Sequence, residues 1–242
     1  MTSAFHGQAS PLRLTGHLDP RVGRWKWLIK WLLAIPHWIV LLFLWIGFAV
    51  STVVAGFAIL LTGHFPRRIF DFNVGVLRWS WRVSFYSYSA LGTDRYPPFS
   101  LRDDLVYPAR LEIAYPEQLS RGLVLVKWWL LAIPHYLILA IFTGGAWSAW
   151  SGDGGDGFFY ATAGGLIGVL VLIAGLALLV TGFYPRTLYD LILGLNRWVF
   201  RVVVYAALMT DTYPPFRLDP GSGEPPAATD PSTLTAVATP TA

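Results

Sequence analysis

Two histidines occupy the same local setting in this chain. His37 closes the stretch Lys30–His37 (KWLLAIPH) and His135 closes Trp128–His135 (WWLLAIPH). An imidazole in an apolar helix can relay a proton, and two such rings facing each other could hold a metal ion. Two histidines with no carboxylate beside them make a poor metal site. The local alternative starts from Pro36 and Pro134, each of which frees a backbone carbonyl one turn back for the ring or a water to satisfy.

A second constellation is cationic. Arg67, Asp71, Gly75, Arg78 and Arg82 share one face of a helix by their spacing, and Arg186, Asp190, Gly194, Arg197 and Arg201 repeat all five. Arg67 and Asp71 are placed for an i,i+4 ion pair. Helical side chains lean toward the N-terminus, so Arg78 can lie across Gly75 toward Asp71, a structural polar face. Alternatively, Arg78, Arg82, Arg197 and Arg201 contact anionic lipid headgroups. The two roles are compatible.

Other chemistry finds little support. The chain has no Cys, which removes disulfides, thiol nucleophiles and thiolate metal sites. Asp153 and Asp156 lie in a Gly-rich loop, Thr143–Gly157, with too few oxygens for calcium. Gly164, Gly165, Gly168 and Gly175 suit close helix packing. The sequence has no nucleotide-binding loop, catalytic serine elbow, paired-carboxylate signature or HExxH. A net charge of only +4 gives no case for nucleic acid. Thus no catalytic residue, cofactor or resident metal is assigned.

The elements that must carry these residues are apolar. Of the 242 residues, 55% are hydrophobic and 13% charged, half the charge of an ordinary soluble domain, so lipid is the expected solvent. Twelve Trp suit a membrane interface. Arg24, Lys26 and Lys30, interleaved with Trp25, Trp27 and Trp31, read as an interfacial anchor. Apolar runs at Arg24–Trp45 and Ile46–Thr62 predict a helix pair joined by a tight turn near Gly47. In the second half, Leu123–Phe142 and Phe158–Thr181 predict a pair split by the Gly/Asp loop. Gly63 and Gly182 suit left-handed helix ends, and Pro66 and Pro185 the first turn of the next helix. Those next helices, Pro66–Leu91 and Pro185–Met209, are predicted to be amphipathic and to lie in the interface. Alternation in Pro11–Asp19 and Pro108–Pro116 predicts strands. Tyr96-Pro97-Pro98 and Tyr213-Pro214-Pro215 end the helices, with short strands expected at Phe99–Leu101 and Phe216–Leu218.

Residues 11–101 and 108–218 are therefore two repeat units, joined by 102–107 and flanked by disordered segments 1–10 and 219–242. Met1–Ser10 lacks the pattern of a cleavable signal peptide. No basic residue lies near Gly47 or in Thr143–Gly157, so four spans place all positive charge and both termini on the cytoplasmic side. Two units entering the membrane alike imply a pseudo-two-fold axis along its normal. The fold class expected is all-α membrane protein: a tandem repeat of transmembrane helix hairpin plus amphipathic interfacial helix, with a small cytoplasmic β element.

At these motifs the chain resembles a bacterial membrane family, domain of unknown function 4389, in two tandem copies. Lys30–His37, Leu61–Arg67, Asp71–Arg82 and Thr93–Leu101 carry the resemblance, as do Tyr115–Glu117, Trp128–His135, Thr181–Arg186, Asp190–Arg201 and Thr210–Leu218. It departs at His64, where the family usually has Arg, and at the Gly/Asp insert. The resemblance implies the fold and an inner-membrane location and brings no activity. Three function classes remain. The first is a non-enzymatic scaffold or lipid-organising component, with anionic lipids and a membrane-protein partner or homo-oligomer. The second is a small transporter or channel acting as a homo-oligomer. The third is a lipid-modifying enzyme.

Overall fold

The computed structural model describes residues 11–20, 22–143 and 165–221. In chain order these form strand β1 (Leu12–Gly16), helices α1 (Trp27–Thr62) and α2 (Arg67–Ser87), strand β2 (Ala109–Ile113), helix α3 (Arg121–Val126), a π-helical turn (Lys127–Leu131), and helices α4 (Ile133–Thr143), α5 (Leu166–Thr181) and α6 (Arg186–Ala206). The Gly/Asp loop with Asp153, Asp156 and Gly164, and both chain ends, fall outside the described residues.

The hairpin expected in the first copy is replaced by one continuous helix of 36 residues, about 54 Å long at 1.5 Å per residue. A lone glycine costs a helix interior only about 1 kcal/mol. At Gly47 the missing side chain admits Phe72, whose Cζ would lie 3.3 Å from a Cβ there. Gly63 then ends α1 at φ 77°, its amide bonding Ile59, and Gly182 ends α5 at φ 76° in the same way on Leu178.

The second copy carries one residue more between Lys127 and His135 than the first has between Lys30 and His37. The π turn at Lys127–Leu131 absorbs it, because an i→i+5 ring holds one extra residue. Lys127, and not Trp128, is therefore the counterpart of Lys30. The helix then bends by 44° between Leu131 and Ile133.

Three layers stack. α2 runs antiparallel along α1, with Gly47 beside Phe72, Ser51 bonded to Asn73 and Trp45 bonded to Ser80. On its other side α2 meets the sheet, where Trp81 donates to the Thr15 carbonyl. The small sheet is antiparallel, β1 with β2, in the register Leu12↔Ile113, Leu14↔Leu111 and Gly16↔Ala109. The stretches at Phe99 and Phe216 form no strand. Prolines before them remove ladder donors, and both rings pack elsewhere.

The copies interlock through exchanged strands. β2, from the second copy, lies on α2 of the first; β1 lies on α6. Arg78 donates to the Leu111 carbonyl at 3.0 Å, and Arg197 donates to the Leu14 carbonyl at 2.9 Å. Corresponding residues also meet at the centre, Trp81 against Phe200 with centroids 5.6 Å apart. Trp27 packs on Gly175 while its counterpart Val124 packs on Gly56. Each pair is the image of the other under a pseudo-two-fold axis. That axis runs between Leu14 and Leu111 and between Trp81 and Phe200.

α2 and α6 were expected to lie open at an interface. Both are central and largely buried. The middle of their polar face is covered by the exchanged strands and the closing segments, while Arg67, Asp71 and Arg186 at its start stay exposed.

Candidate functional site

Each copy folds its closing motif back onto the first turns of its long apolar helix, and this builds two cages. The first is aromatic. His37 is fully buried, its ring stacked on Phe99 at 3.9 Å and 16°, with Tyr96 at 4.8 Å. His135 is equally buried, stacked on Phe216 at 4.4 Å and 12°, with Tyr213 at 4.9 Å. The indole N–H of Trp79 donates to Nδ1 of His37 at 3.1 Å, and that of Trp198 to Nδ1 of His135 at 3.2 Å. Tyr96 and Tyr213 donate to the carbonyls of Leu33 and Leu131, on the turn before each Pro-His. These carbonyls lie one residue after those of Leu32 and Leu130, which Pro36 and Pro134 leave without an i+4 donor, so each tyrosine ties the closing motif to the turn beside the proline.

The second cage is ionic. Lys30, buried at the start of α1, donates to the Thr93 carbonyl at 2.7 Å and pairs with Asp94 at 2.8 Å. Lys127 does the same with the Thr210 carbonyl and Asp211, both at 2.7 Å. Tyr86 and Tyr205 present their ring faces to these ammonium groups at 5.4 and 5.3 Å. The second oxygen of each aspartate accepts a backbone amide ahead of the helix, Gly23 at 2.7 Å and Ser120 at 2.6 Å. Burial alone would raise the Asp94 carboxyl. Hydrogen bonds from Lys30, the Gly23 amide and Lys26, with the charge of Lys30, hold it below the ordinary carboxylate range. Burial, with Tyr213 and Asp211 beside it, pushes the Tyr205 hydroxyl up to about 12. Just before each Thr-Asp, Leu91 and Leu208 adopt left-handed backbones, φ 52° and 63°. Such strain costs of order 1–3 kcal/mol and recurs at the same place in both copies, with both leucine side chains buried.

These cages limit the chemistry. A general base needs a free lone pair, and the only basic ring nitrogen of each histidine is occupied by an indole N–H. Each lysine nitrogen is engaged by both a backbone carbonyl and a carboxylate, an arrangement that anchors the helix start. His37 and His135 each pack within their own copy's aromatic cluster. Among the described residues no group of three potential metal ligands gathers.

The arginine faces are distributed differently from their spacing. Arg67 and Asp71 do pair at 3.7 Å, both exposed. Arg78 turns away from Asp71 to the Leu111 carbonyl and to Asp103 at 3.7 Å. Gly75 instead admits the closing segment, since a Cβ there would meet that of Leu101 at 2.9 Å; Gly194 is approached the same way by Asp219. Arg82, Arg197 and Arg201 are 1%, 0% and 4% exposed, too little to meet a headgroup. Arg82 donates to the Ser100 carbonyl, Arg197 to the carbonyls of Leu14, Asp219 and Gly221, and Arg201 to the Asp219 carboxylate at 2.7 Å. Arg186 and Asp190 line a cleft of about 540 Å³ with His17 and Asp19. Arg67 and Asp71 line its counterpart, about 410 Å³, with Tyr115.

The Lys-Asp cages were missed from sequence, although the signal was present: a Lys and a Thr-Asp recur in both copies. One asymmetry yields a prediction. The position of Asp219 is taken in the first copy by Arg102, so Arg82 lacks the carboxylate that Arg201 has, and burial lowers its pKa. Arg102→Asp is expected to stabilise the fold by about 1–3 kcal/mol, the worth of a charged hydrogen bond. Thermal unfolding of the two proteins side by side measures it.

The architecture is that of a duplicated, mostly helical unit closed by a two-stranded sheet. Domain of unknown function (DUF4389) matches residues 24–100 and 157–217, more than half of the chain, in two segments consistent with two tandem copies. The protein belongs to this family. Neither the curated proteins nor the solved structures compared with it give a match.

Among the described helices, α1 alone is long and apolar enough by itself to cross a membrane; α3 through α4 passes the same test as a bent pair, and α5 is shorter.

Proposed function

We propose that the protein is a non-enzymatic membrane component that organises anionic lipid or scaffolds a membrane-protein partner at the bacterial inner membrane, with its polar layer on the cytoplasmic side. One observation carries this reading. Only 22% of the most apolar stretch of α1 is buried, whereas a core helix of a soluble protein hides most of such a surface. Its outward residues include Ile39, Phe43, Val50, Phe57 and Leu61, each more than half exposed. A continuous apolar face of this size in water is a strong drive to associate. The engaged lone pairs of both cages argue against catalysis. Headgroup contacts move to the exposed cations at the ends of α1: Arg24 and Lys26 at its start, Arg67 and Arg68 after its finish.

The test is extraction of native membranes. The protein should stay in the pellet through alkaline carbonate and leave only with detergent, carrying anionic phospholipid detectable by mass spectrometry. Release by carbonate as a monodisperse, lipid-free protein would refute the reading.

A further inference from the structure

We infer that the protein lies within one leaflet of an anionic phospholipid bilayer instead of crossing it: α1 runs parallel to the surface, the pseudo-two-fold axis stands along the membrane normal, and the sheet faces water. This rests on the membrane reading above and specifies its geometry.

Length is the first argument. The outer face of α1 is apolar from Leu28 to Leu61, and no residue from Trp31 to Thr62 is charged. A hydrocarbon core about 30 Å thick takes about 20 helical residues. Fitting a helix of 36 residues into it needs a tilt of roughly 55°, beyond the usual range of about 0–40°.

Layering is the second. α2 and then the sheet lie alongside α1, not at its end. A bilayer crossed by α1 would surround these layers too. It would immerse the charges of Arg13, Asp103, Arg110 and Glu112 on the sheet and the connector. Each centrally placed charge costs roughly 2.5–3.5 kcal/mol. With α1 in the plane, only the outer faces of α1, α3, α4 and α5 enter hydrocarbon, to a depth of about 5–10 Å, and the charged layer stays wet.

Charge is the third. Arg24 approaches Gly182 at the end of α5, and its counterpart Arg121 approaches Gly63 at the end of α1. The apolar helix of each copy therefore starts where that of the other ends. A crossing α1 would place Arg24 and Lys26 on one side and Arg67, Arg68 and Arg121 on the other, against the positive-inside rule. An in-plane α1 brings all five to the headgroups of one leaflet.

The absence of Cys makes the test direct. Full-length protein with a single nitroxide-labelled Cys at Ile29, Ile39, Val50 or Leu61, all exposed, is reconstituted into phosphatidylcholine–phosphatidylglycerol vesicles. Depth is read from relative accessibility to oxygen and to a nickel chelate. The four labels should lie at one depth, within about 5 Å, whereas a crossing helix would place its middle about 15 Å deeper than its ends. Trp25→Cys and Arg68→Cys should react with an impermeant thiol reagent from the same side. A depth profile peaking at the middle, with the two ends labelled from opposite sides, overturns the in-plane geometry and leaves the membrane reading intact. Full access of all four labels to the nickel chelate overturns both.

Discussion

Asp211→Ala is expected to destabilise the protein by about 3–5 kcal/mol, and Asp94→Ala by a similar amount. Lys127 is fully buried and Lys30 nearly so. Removing the carboxylate leaves an ammonium in an apolar surround, with one carbonyl and a tyrosine ring as its remaining contacts. The aspartate also accepts the Ser120 or Gly23 amide, so alanine loses the hydrogen bond at the helix entrance too. Asn at the same positions keeps an acceptor and isolates the charge. The double replacement Lys127→Met with Asp211→Asn should recover most of the loss, because it removes the buried charge altogether. Unfolding in detergent with increasing denaturant reads all five variants. A cost below about 1 kcal/mol for Asp211→Ala would show that Lys127 finds another anion or solvent. The same cage sets a pH dependence. Asp94 titrates below its unfolded value, so its contribution is full above the ordinary carboxylate pKa, about 3.9. It is lost as pH falls through the lower folded value.

The second large effect concerns the exchanged strands. Expressed alone, residues 1–104 and 105–242 are each expected to fail to form a folded monomer. Co-expressed, the two pieces should co-purify as one particle. Separation breaks the β1–β2 ladder and strips Arg78 and Arg197 of the Leu111 and Leu14 carbonyls. A buried donor left without its acceptor costs about 1–3 kcal/mol, more when charged. It also uncovers Leu12, Leu14 and Leu111, all buried, at about 1.5–3 kcal/mol each. These losses together approach the whole stability of a domain, about 5–15 kcal/mol. A half that does fold should do so as a homodimer, because the pseudo-two-fold contacts can be rebuilt by a second identical unit. Size-exclusion chromatography with light scattering separates these cases. A folded monomer of either half would contradict the interlocked arrangement.

Much of the local structure was legible in the sequence. Gly63 and Gly182 end their helices in the left-handed conformation, because that backbone is cheap only without a Cβ. The alternation in Pro11–Asp19 and Pro108–Pro116 marks the two strands that pair. The hairpin near Gly47 was misread because the insert in the second copy breaks an apolar run that the first copy leaves whole. The extra tryptophan at 128–129 hid the match of Lys127 to Lys30, which only the π turn reveals. Spacing located the arginines on one face, but it could not say that three of them turn inward.

The sequence by itself determined the duplication, the family, the glycine-capped ends of α1 and α5 and the two strands that pair, because caps, prolines and alternation act over a few residues. Tertiary structure decided what those elements meet. Lys30 finds Thr93 and Asp94, His37 finds Phe99, and each strand crosses to the other copy's helix. Periodicity says which side chains share a face. Only the closing of long loops says whether that face meets carbonyls, rings or lipid.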